Sequence, residues 1–262
     1  MPPVQRFHWD SAAYAEACAA PVRCAGARVY ERQILREICA AFPAASHAID
    51  GGAGGGDLTS LLVEHCQQVY AGEPHPARCV VRATRCPRVQ IVDGTLMSAV
   101  LPMQMDVGLI SYMLYYIPDH TWGASTIHAA QHLTAHGVLM VTLTTVDTGC
   151  HQMLEHCGAP RYDLKGGSRR VMRRHPECPC TFQHAPASIT TTSCAETLQI
   201  ARFMVYDRDT DVFSCPPTEE AFQAYVCEHF WDERQGNGGW PCATVCCCVR
   251  RNTVYATHTC AG

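Results

Sequence analysis

Six consecutive residues, Gly51-Gly52-Ala53-Gly54-Gly55-Gly56, carry nothing larger than a methyl group, and an aspartate stands at each end of the run, Asp50 and Asp57. Such a stretch lets the backbone turn with positive φ and approach a ligand where a Cβ would collide. Ala48-Ile49 leads into Asp50 as the end of a strand, and Leu58-Thr59-Ser60-Leu61-Leu62-Val63 opens a helical pattern. Strand, glycine turn and helix begin a nucleotide-binding βαβ unit, whose helix N-terminus offers unpaired N–H groups to a polar ligand. Gly52, Gly54 and Gly56 are spaced GxGxG, not the GxGxxG of a dinucleotide site, and Glu73 closes the next short strand with an acid.

Other residue types invite chemistry less specifically. The chain has 18 cysteines and 14 histidines. His175-Pro176-Glu177-Cys178-Pro179-Cys180 and Cys246-Cys247-Cys248 look ligand-rich, but no paired CxxC…CxxC spacing occurs, and three adjacent strand residues point to alternating faces. The composition has a plainer explanation. Lys165 is the only lysine, and Asn237 and Asn252 are the only asparagines, as a GC-rich coding sequence produces. We therefore read the cysteines as small buried hydrophobes and expect no metal. The histidines are scattered; His8, His120 and His151 lie in segments that could border a pocket, yet none stands out as a general base. Glu16 and Glu31 are candidate acidic partners for a cationic substrate.

The bulk numbers narrow the class. A chain of 262 residues, 47% hydrophobic and 17% charged, builds one α/β domain with a real core. A net charge of −4 gives no electrostatic footprint for nucleic acid, and Arg169, Arg170, Arg173 and Arg174 read as a solvated face. The N-terminus lacks the apolar run of a secretory signal, and no segment approaches a membrane span. The expectation is a cytoplasmic protein, a monomer or weak dimer, with a small-molecule substrate and no nucleic-acid or membrane partner.

Positioning the glycine loop takes a succession of elements. Residues 11 to 41 read as helix with a break at Pro21. Strand 1 ends at Asp50, a helix covers 57 to 67, and Val69–Glu73 is strand 2, followed by a helix to about Thr84. Val89–Val92 is strand 3, Asp106–Ser111 strand 4, residues 121 to 133 a helix, and Val138–Leu143 strand 5. This alternation predicts a doubly wound, mostly parallel sheet. From 146 to 195 the pattern weakens, and we read an insertion or cap. Gln199–Tyr206 reads as a strand, 218 to 231 as a helix, and 243 to 257 as the last strand. No repeats or low-complexity linkers occur, so the chain reads as one domain, 1–262. It has an N-terminal helical cap (1–44), a core (45–145), the insertion (146–195) and C-terminal strands and helix completing the sheet (196–262).

Asp50-Gly51-Gly52-Ala53-Gly54-Gly55-Gly56 resembles motif I of the class I S-adenosylmethionine-dependent methyltransferases. Glu73 falls where that family's acid binds the ribose hydroxyls, and Asp93-Gly94-Thr95 where the loop after strand 3 flanks the adenine. Asp106 to Pro118 resembles motif IV and its following loop, and His132-Leu133-Thr134-Ala135-His136-Gly137 the turn before strand 5, with its usual proline and first glycine replaced. The resemblance covers about residues 45 to 145. It implies a Rossmann-like, seven-stranded fold and S-adenosyl-L-methionine as methyl donor. It also implies a cofactor site of Asp50, Gly51, Gly52, Ala53, Gly54, Glu73, Pro74, Asp93, Gly94, Thr95, Ser111 and Tyr112.

Gly51-Gly52-Ala53-Gly54, Glu73-Pro74, Met113-Leu114-Tyr115-Tyr116, Asn252-Thr253 and Tyr14-Ala15-Glu16 are similar to the histamine N-methyltransferase-like branch. By position, that likeness implies a substrate pocket of Tyr14, Tyr112, Tyr115, Tyr116, Cys150 and Asn252, with the tyrosines as positioning residues. The chain departs from the branch at Ala27-Arg28, where an anchoring glutamate is expected, and at Cys150 and Leu154, which replace tryptophans. The implied reaction is direct SN2 methylation of a small-molecule amine, which must be neutral to attack; positioning and desolvation are then the protein's main tasks. O- or C-methylation, cysteine-assisted thiol or arsenic methylation and donor binding without turnover remain alternatives.

Overall fold

Two helices lead the chain, α1 (Ala12–Cys24) and α2 (Ala27–Ala40), in the computed structural model, which describes residues 11–24, 26–54, 56–72, 88–92, 101–146, 148–159, 162–206 and 217–251. Pro21 does not break the first helix, contrary to the sequence reading; it sits inside α1. Ala17 and Ala20 are fully buried, and α1 packs on the helix over Cys194–Tyr206. That packing keeps the last turn helical despite the missing N–H.

The described elements continue as β1 (His47–Asp50), α3 (Asp57–His65), β2 (Gln68–Gly72), β3 (Val89–Val92), β4 (Met105–Ser111), α4 (Trp122–Gln131), β5 (Leu133–Thr144), α5 (Gly149–His156) and α6 (Leu164–Arg174). After them come β6 (Cys180–Ala185), β7 (Ser188–Thr191), α7 (Cys194–Tyr206), α8 (Glu219–Phe230), β8 (Trp231–Asp232), β9 (Asn237–Pro241) and β10 (Thr244–Arg250). Met1–Tyr30, Thr144–Asp163 and His184–Thr244 make one compact unit; Glu31–Leu143, Leu164–Gln183 and Val245–Gly262 make the other.

The second unit is built on a seven-stranded sheet in the order β3-β2-β1-β4-β5-β10-β6. The first five of these pair in parallel. From β1 the chain moves outward to β2 and β3, then returns to lay β4 on β1's other side. The order therefore reverses between β1 and β4, and such a switch point opens a crevice at the carboxyl ends of the two strands. Asp106 fixes the opposite ends: its carboxylate accepts from the His47 N–H at 2.9 Å and from the Thr134 hydroxyl at 3.0 Å.

Burial explains the strand sequences. β5 is buried without interruption from Val138 to Thr144, as a central parallel strand covered on both faces must be. Ile34, Leu35 and Cys39 of α2 pack with Leu58, Leu61 and Leu62 of α3 against Ala48, Val107, Leu109 and Met140. Cys246 and Cys248 join that same cluster, while Cys247 is in hydrogen-bond contact with Cys180 of β6 and Ser168 of α6. The three adjacent cysteines thus alternate faces and behave as small core residues.

β5 starts at Leu133, five residues before the expected Val138, because Gly137 is a close approach and not a turn. A Cβ there would lie 2.7 Å from the Leu133 Cβ and 3.0 Å from the Met105 carbonyl oxygen. Residues 146–195, expected as an insertion or cap, hold α5, α6, β6 and β7, and β6 forms an edge of the main sheet. Arg169, Arg173 and Arg174 lie exposed on or at the end of α6.

In the first unit α1, α5 and α8 pack on α7, and β7-β9-β8 form a small antiparallel sheet. Gln199–Tyr206, expected as a strand, belongs to helix α7. Its buried residues Thr197, Ile200, Ala201 and Val205 follow helical spacing. Ser193 starts it by accepting from the Glu196 N–H at 3.2 Å, and Glu196 returns a bond to the Thr192 N–H at 3.1 Å. That reciprocal cap outweighs the β-like run of apolar residues downstream. Among the described residues no helix is long and apolar enough to cross a membrane.

Candidate functional site

The crevice between the carboxyl ends of β1 and β4 has one wall made of backbone. Asp50, last in β1, is buried and organises that wall. One carboxylate oxygen accepts from the Gly52 N–H at 3.2 Å; the other accepts from the Thr59 hydroxyl at 2.7 Å, nine residues on in α3. Asp50 thereby ties strand, loop and helix start together with charge-assisted bonds. The Gly51 N–H donates to the Leu109 carbonyl of β4 at 2.8 Å, and the Ala53 N–H to the Gly72 carbonyl of β2 at 3.3 Å. Gly54 has φ 45 and Gly56 φ 81, the left-handed turns that the glycine run was expected to supply.

The second wall follows β4. Tyr112 is the only described non-glycine residue with positive φ, at 53. Its N–H donates to the Thr142 carbonyl of β5 at 3.1 Å, which holds this unusual turn in place. Behind it, the Ser111 hydroxyl accepts from Thr142 Oγ1 at 3.2 Å. A 3-10 turn over Leu114–Tyr116 comes next, anchored by fully buried Leu114 and by the Trp122 indole N–H, which donates to the Ile117 carbonyl at 3.1 Å. The two walls touch: a Cβ at Gly52 would fall 2.8 Å from both Cβ and Cγ of Met113.

Tyr112 also has a distant partner. Its hydroxyl donates to Glu31 Oε1 at 2.5 Å, across 81 residues of sequence, and Glu31 on α2 is fully buried. Tyr115 stacks near Tyr112, with ring centroids 6.4 Å apart and 27° between planes. The chain therefore sets a buried carboxyl, a hydroxyl that donates to it, and two aromatic faces at the end of β4. Such a group accepts hydrogen bonds from N–H donors and tolerates positive charge.

The other expected residues distribute as follows. Tyr115 is half-buried in the 3-10 turn, and Tyr116 is 50% exposed. Glu73, Pro74, Asp93, Gly94, Thr95, Asn252 and His8 lie outside the described residues, although Gly72 and Val92, which precede two of these segments, end β2 and β3. Tyr14 and Cys150 belong to the first unit. There Tyr14 is buried with its ring 5.7 Å from Phe203, and Cys150 accepts from the Trp240 indole N–H at 3.2 Å and donates to the Met204 sulfur at 3.0 Å. Glu16 and His120 are exposed, and His151 is buried beside Thr148 and the Tyr162 N–H. The sequence reading missed three partnerships, Thr59 with Asp50, Met113 with Gly52 and Glu31 with Tyr112. Only the first left a local trace, a hydroxyl in the first turn of the helix after the loop.

No family model matches the chain, and no curated protein does. Solved structures do match, at low identity. A methyltransferase candidate from Bacillus halodurans C-125 aligns with TM-score 0.60 and 12% identity over 86% of this chain and 100% of its own. N-methyltransferase NodS from Bradyrhizobium japonicum WM9, in complex with S-adenosyl-L-homocysteine, aligns with TM-score 0.53 and 10% identity over 86% of this chain and 88% of its own. The cyclase SpnF aligns with TM-score 0.53 and 13% identity over 84% of this chain and 81% of its own. The chain thus has the Rossmann-like fold of class I methyltransferases, a fold that also carries a cyclase.

Proposed function

We propose that the chain is an S-adenosylmethionine-dependent methyltransferase acting on a small molecule, and that the methylated atom is an amine nitrogen. Two observations support the donor. The crevice at the reversal of strand order between β1 and β4 is bordered by a glycine turn held from below by Asp50, and NodS, with the same fold, was solved with S-adenosyl-L-homocysteine bound. The Gly51–Gly54 backbone, partly exposed and without bulky side chains, fits the methionine and ribose end of such a ligand. Glu73 is proposed for the ribose hydroxyls, and Asp93 to Thr95 for the adenine. When bound, the donor supplies an electrophilic methyl group on a sulfonium sulfur.

The pairing of Tyr112 with Glu31 carries the acceptor reading. Because the Tyr112 hydroxyl donates to Glu31, a ligand meets it as an acceptor, which suits an N–H better than a carbonyl or carboxylate at the same spot. The Glu31 carboxyl orients the Tyr112 hydroxyl, and the Tyr115 ring offers a π face to the positive charge that develops on the nitrogen as the methyl group transfers. Tyr112 and Tyr115 orient the nucleophile, and no residue of the chain forms a covalent bond to it. We place Tyr116 at the rim of the site, and propose that the protein works as a monomer or weak dimer.

A panel of amines, phenols and keto acids, assayed for S-adenosylhomocysteine release with labelled methyl donor, tests this reading. Label in a product stable to acid and base, with a Glu31→Gln variant raising the acceptor KM at unchanged donor affinity, is the expected result. Turnover of phenols or keto acids alone, indifferent to Glu31, overturns the amine assignment.

A further inference from the structure

The 18 cysteines read as compositional, and most of the described ones are buried in the core. One pair is different. Cys194, the first residue of α7, and Cys227, on α8, bring their sulfur atoms to 3.3 Å across 33 residues of sequence, and both side chains are partly exposed. We propose that Cys194 and Cys227 form an oxidative modification site, a dithiol that closes to an intrachain disulfide by exchange with a low-molecular-weight disulfide such as oxidised glutathione.

The geometry needs little adjustment. A disulfide holds its sulfurs about 2.05 Å apart, so the pair must close by about an ångström, within the reach of side-chain rotation at two packed helices. Access selects this pair over two others. Cys39 is in hydrogen-bond contact with Cys66, and Cys180 with Cys247, but Cys39, Cys66 and Cys247 are buried and out of reach of an attacking disulfide. Burial and the contact with Cys194 push the Cys227 thiol up to about 11. Either thiol, once ionised, attacks the incoming disulfide, and the other resolves.

The balance closes without further reagents. The thiolate of one cysteine attacks one sulfur of oxidised glutathione, the S–S bond breaks, and one glutathione thiolate leaves. The thiolate of the other cysteine then attacks the sulfur of the first and expels the second glutathione thiolate. The two cysteine protons end on the two glutathione thiols; the protein loses two electrons and oxidised glutathione gains them. The bridge fastens the start of α7 to α8. The same helix carries Phe203 against Tyr14 and Met204 against Cys150.

Mapping the full-length protein tests this directly. The protein is incubated with oxidised glutathione near neutral pH, blocked with N-ethylmaleimide, digested and analysed by mass spectrometry. The expected result is a peptide joining Cys194 to Cys227 with the loss of two hydrogens, reversed by dithiothreitol, and a thermal midpoint raised by about 5 °C. Cys227→Ser and Cys194→Ser should each stall the reaction as a glutathione adduct on the cysteine that remains, with no bridge formed. If both cysteines of the oxidised wild type carry N-ethylmaleimide, or Cys194 bridges elsewhere, the proposal fails.

Discussion

The two walls of the crevice are made in opposite ways. The loop after β1 is a backbone structure: glycines turn it, Asp50 pins it from within, and the hydrogen bonds named for it run to Asp50, to a neighbouring strand or to the next helix. The turn after β4 is a side-chain structure, and its defining partner, Glu31, arrives from a helix 81 residues away. In the proposed reading, a donor common to many enzymes is held by features that local spacing can specify, and the acceptor by side chains that only the finished fold assembles.

Asp50→Ala should have the largest effect, because it leaves the Thr59 hydroxyl and the Gly52 N–H without the acceptor that organises them. Each orphaned buried group costs about 1–3 kcal/mol, so we expect a loss of about 2–4 kcal/mol in urea unfolding and a fall of about 100-fold or more in donor affinity. A variant of wild-type stability and affinity would show that the first wall does not depend on Asp50.

The contact between the walls can be tested next. Gly52→Ala places a Cβ 2.8 Å from Met113, so donor affinity should fall by about tenfold. Met113→Gly in the same chain removes both of the atoms it would meet, Cβ and Cγ, and should restore most of the loss. Calorimetric titration of the single and double variants reads the coupling; additive losses would mean that the walls act independently.

Glu31→Gln and Tyr112→Phe probe the second wall alone. Each should lower kcat/KM for an amine acceptor by about 10- to 100-fold, while donor affinity stays within about twofold. Equal losses on donor and acceptor would erase the distinction between the walls.

Much of the first wall was legible in the chain. The order β1, glycine loop, α3 and the aspartate closing β1 could be read because glycine, chain direction and strand alternation impose short-range constraints. The second wall was legible only in part. Tyr112, Tyr115 and Tyr116 were named only through the family resemblance, and the choice of Glu31 over Glu16 needed the tertiary contact. Pro21 and Gly137 misled for a related reason: packing of α1 on α7, and a close approach of β5 to Met105, override what each residue signals locally. Residues Gln199–Tyr206 misled because a cap at Ser193 and Glu196, just upstream, decided their conformation.

A smaller effect marks the pH range in which the walls can be compared. Burial pushes Cys157 and Cys248 from 9.0 up to about 11. The folded chain then keeps protons that the unfolded chain releases, so this stability is complete below pH 9 and is lost as pH rises through about 11. The loss is on the order of 2 kcal/mol per thiol. Urea midpoints should therefore fall between about pH 9 and 11, and fall less in Cys157→Ala. A flat profile would mean that these thiols titrate alike in both states.

Titration with S-adenosylhomocysteine, in wild type and in Gly52→Val, is the most direct measurement of the central claim. The account predicts one site in the wild type and none in the variant, with circular dichroism unchanged. No binding to the wild type at millimolar ligand, or equal binding to both proteins, would contradict it.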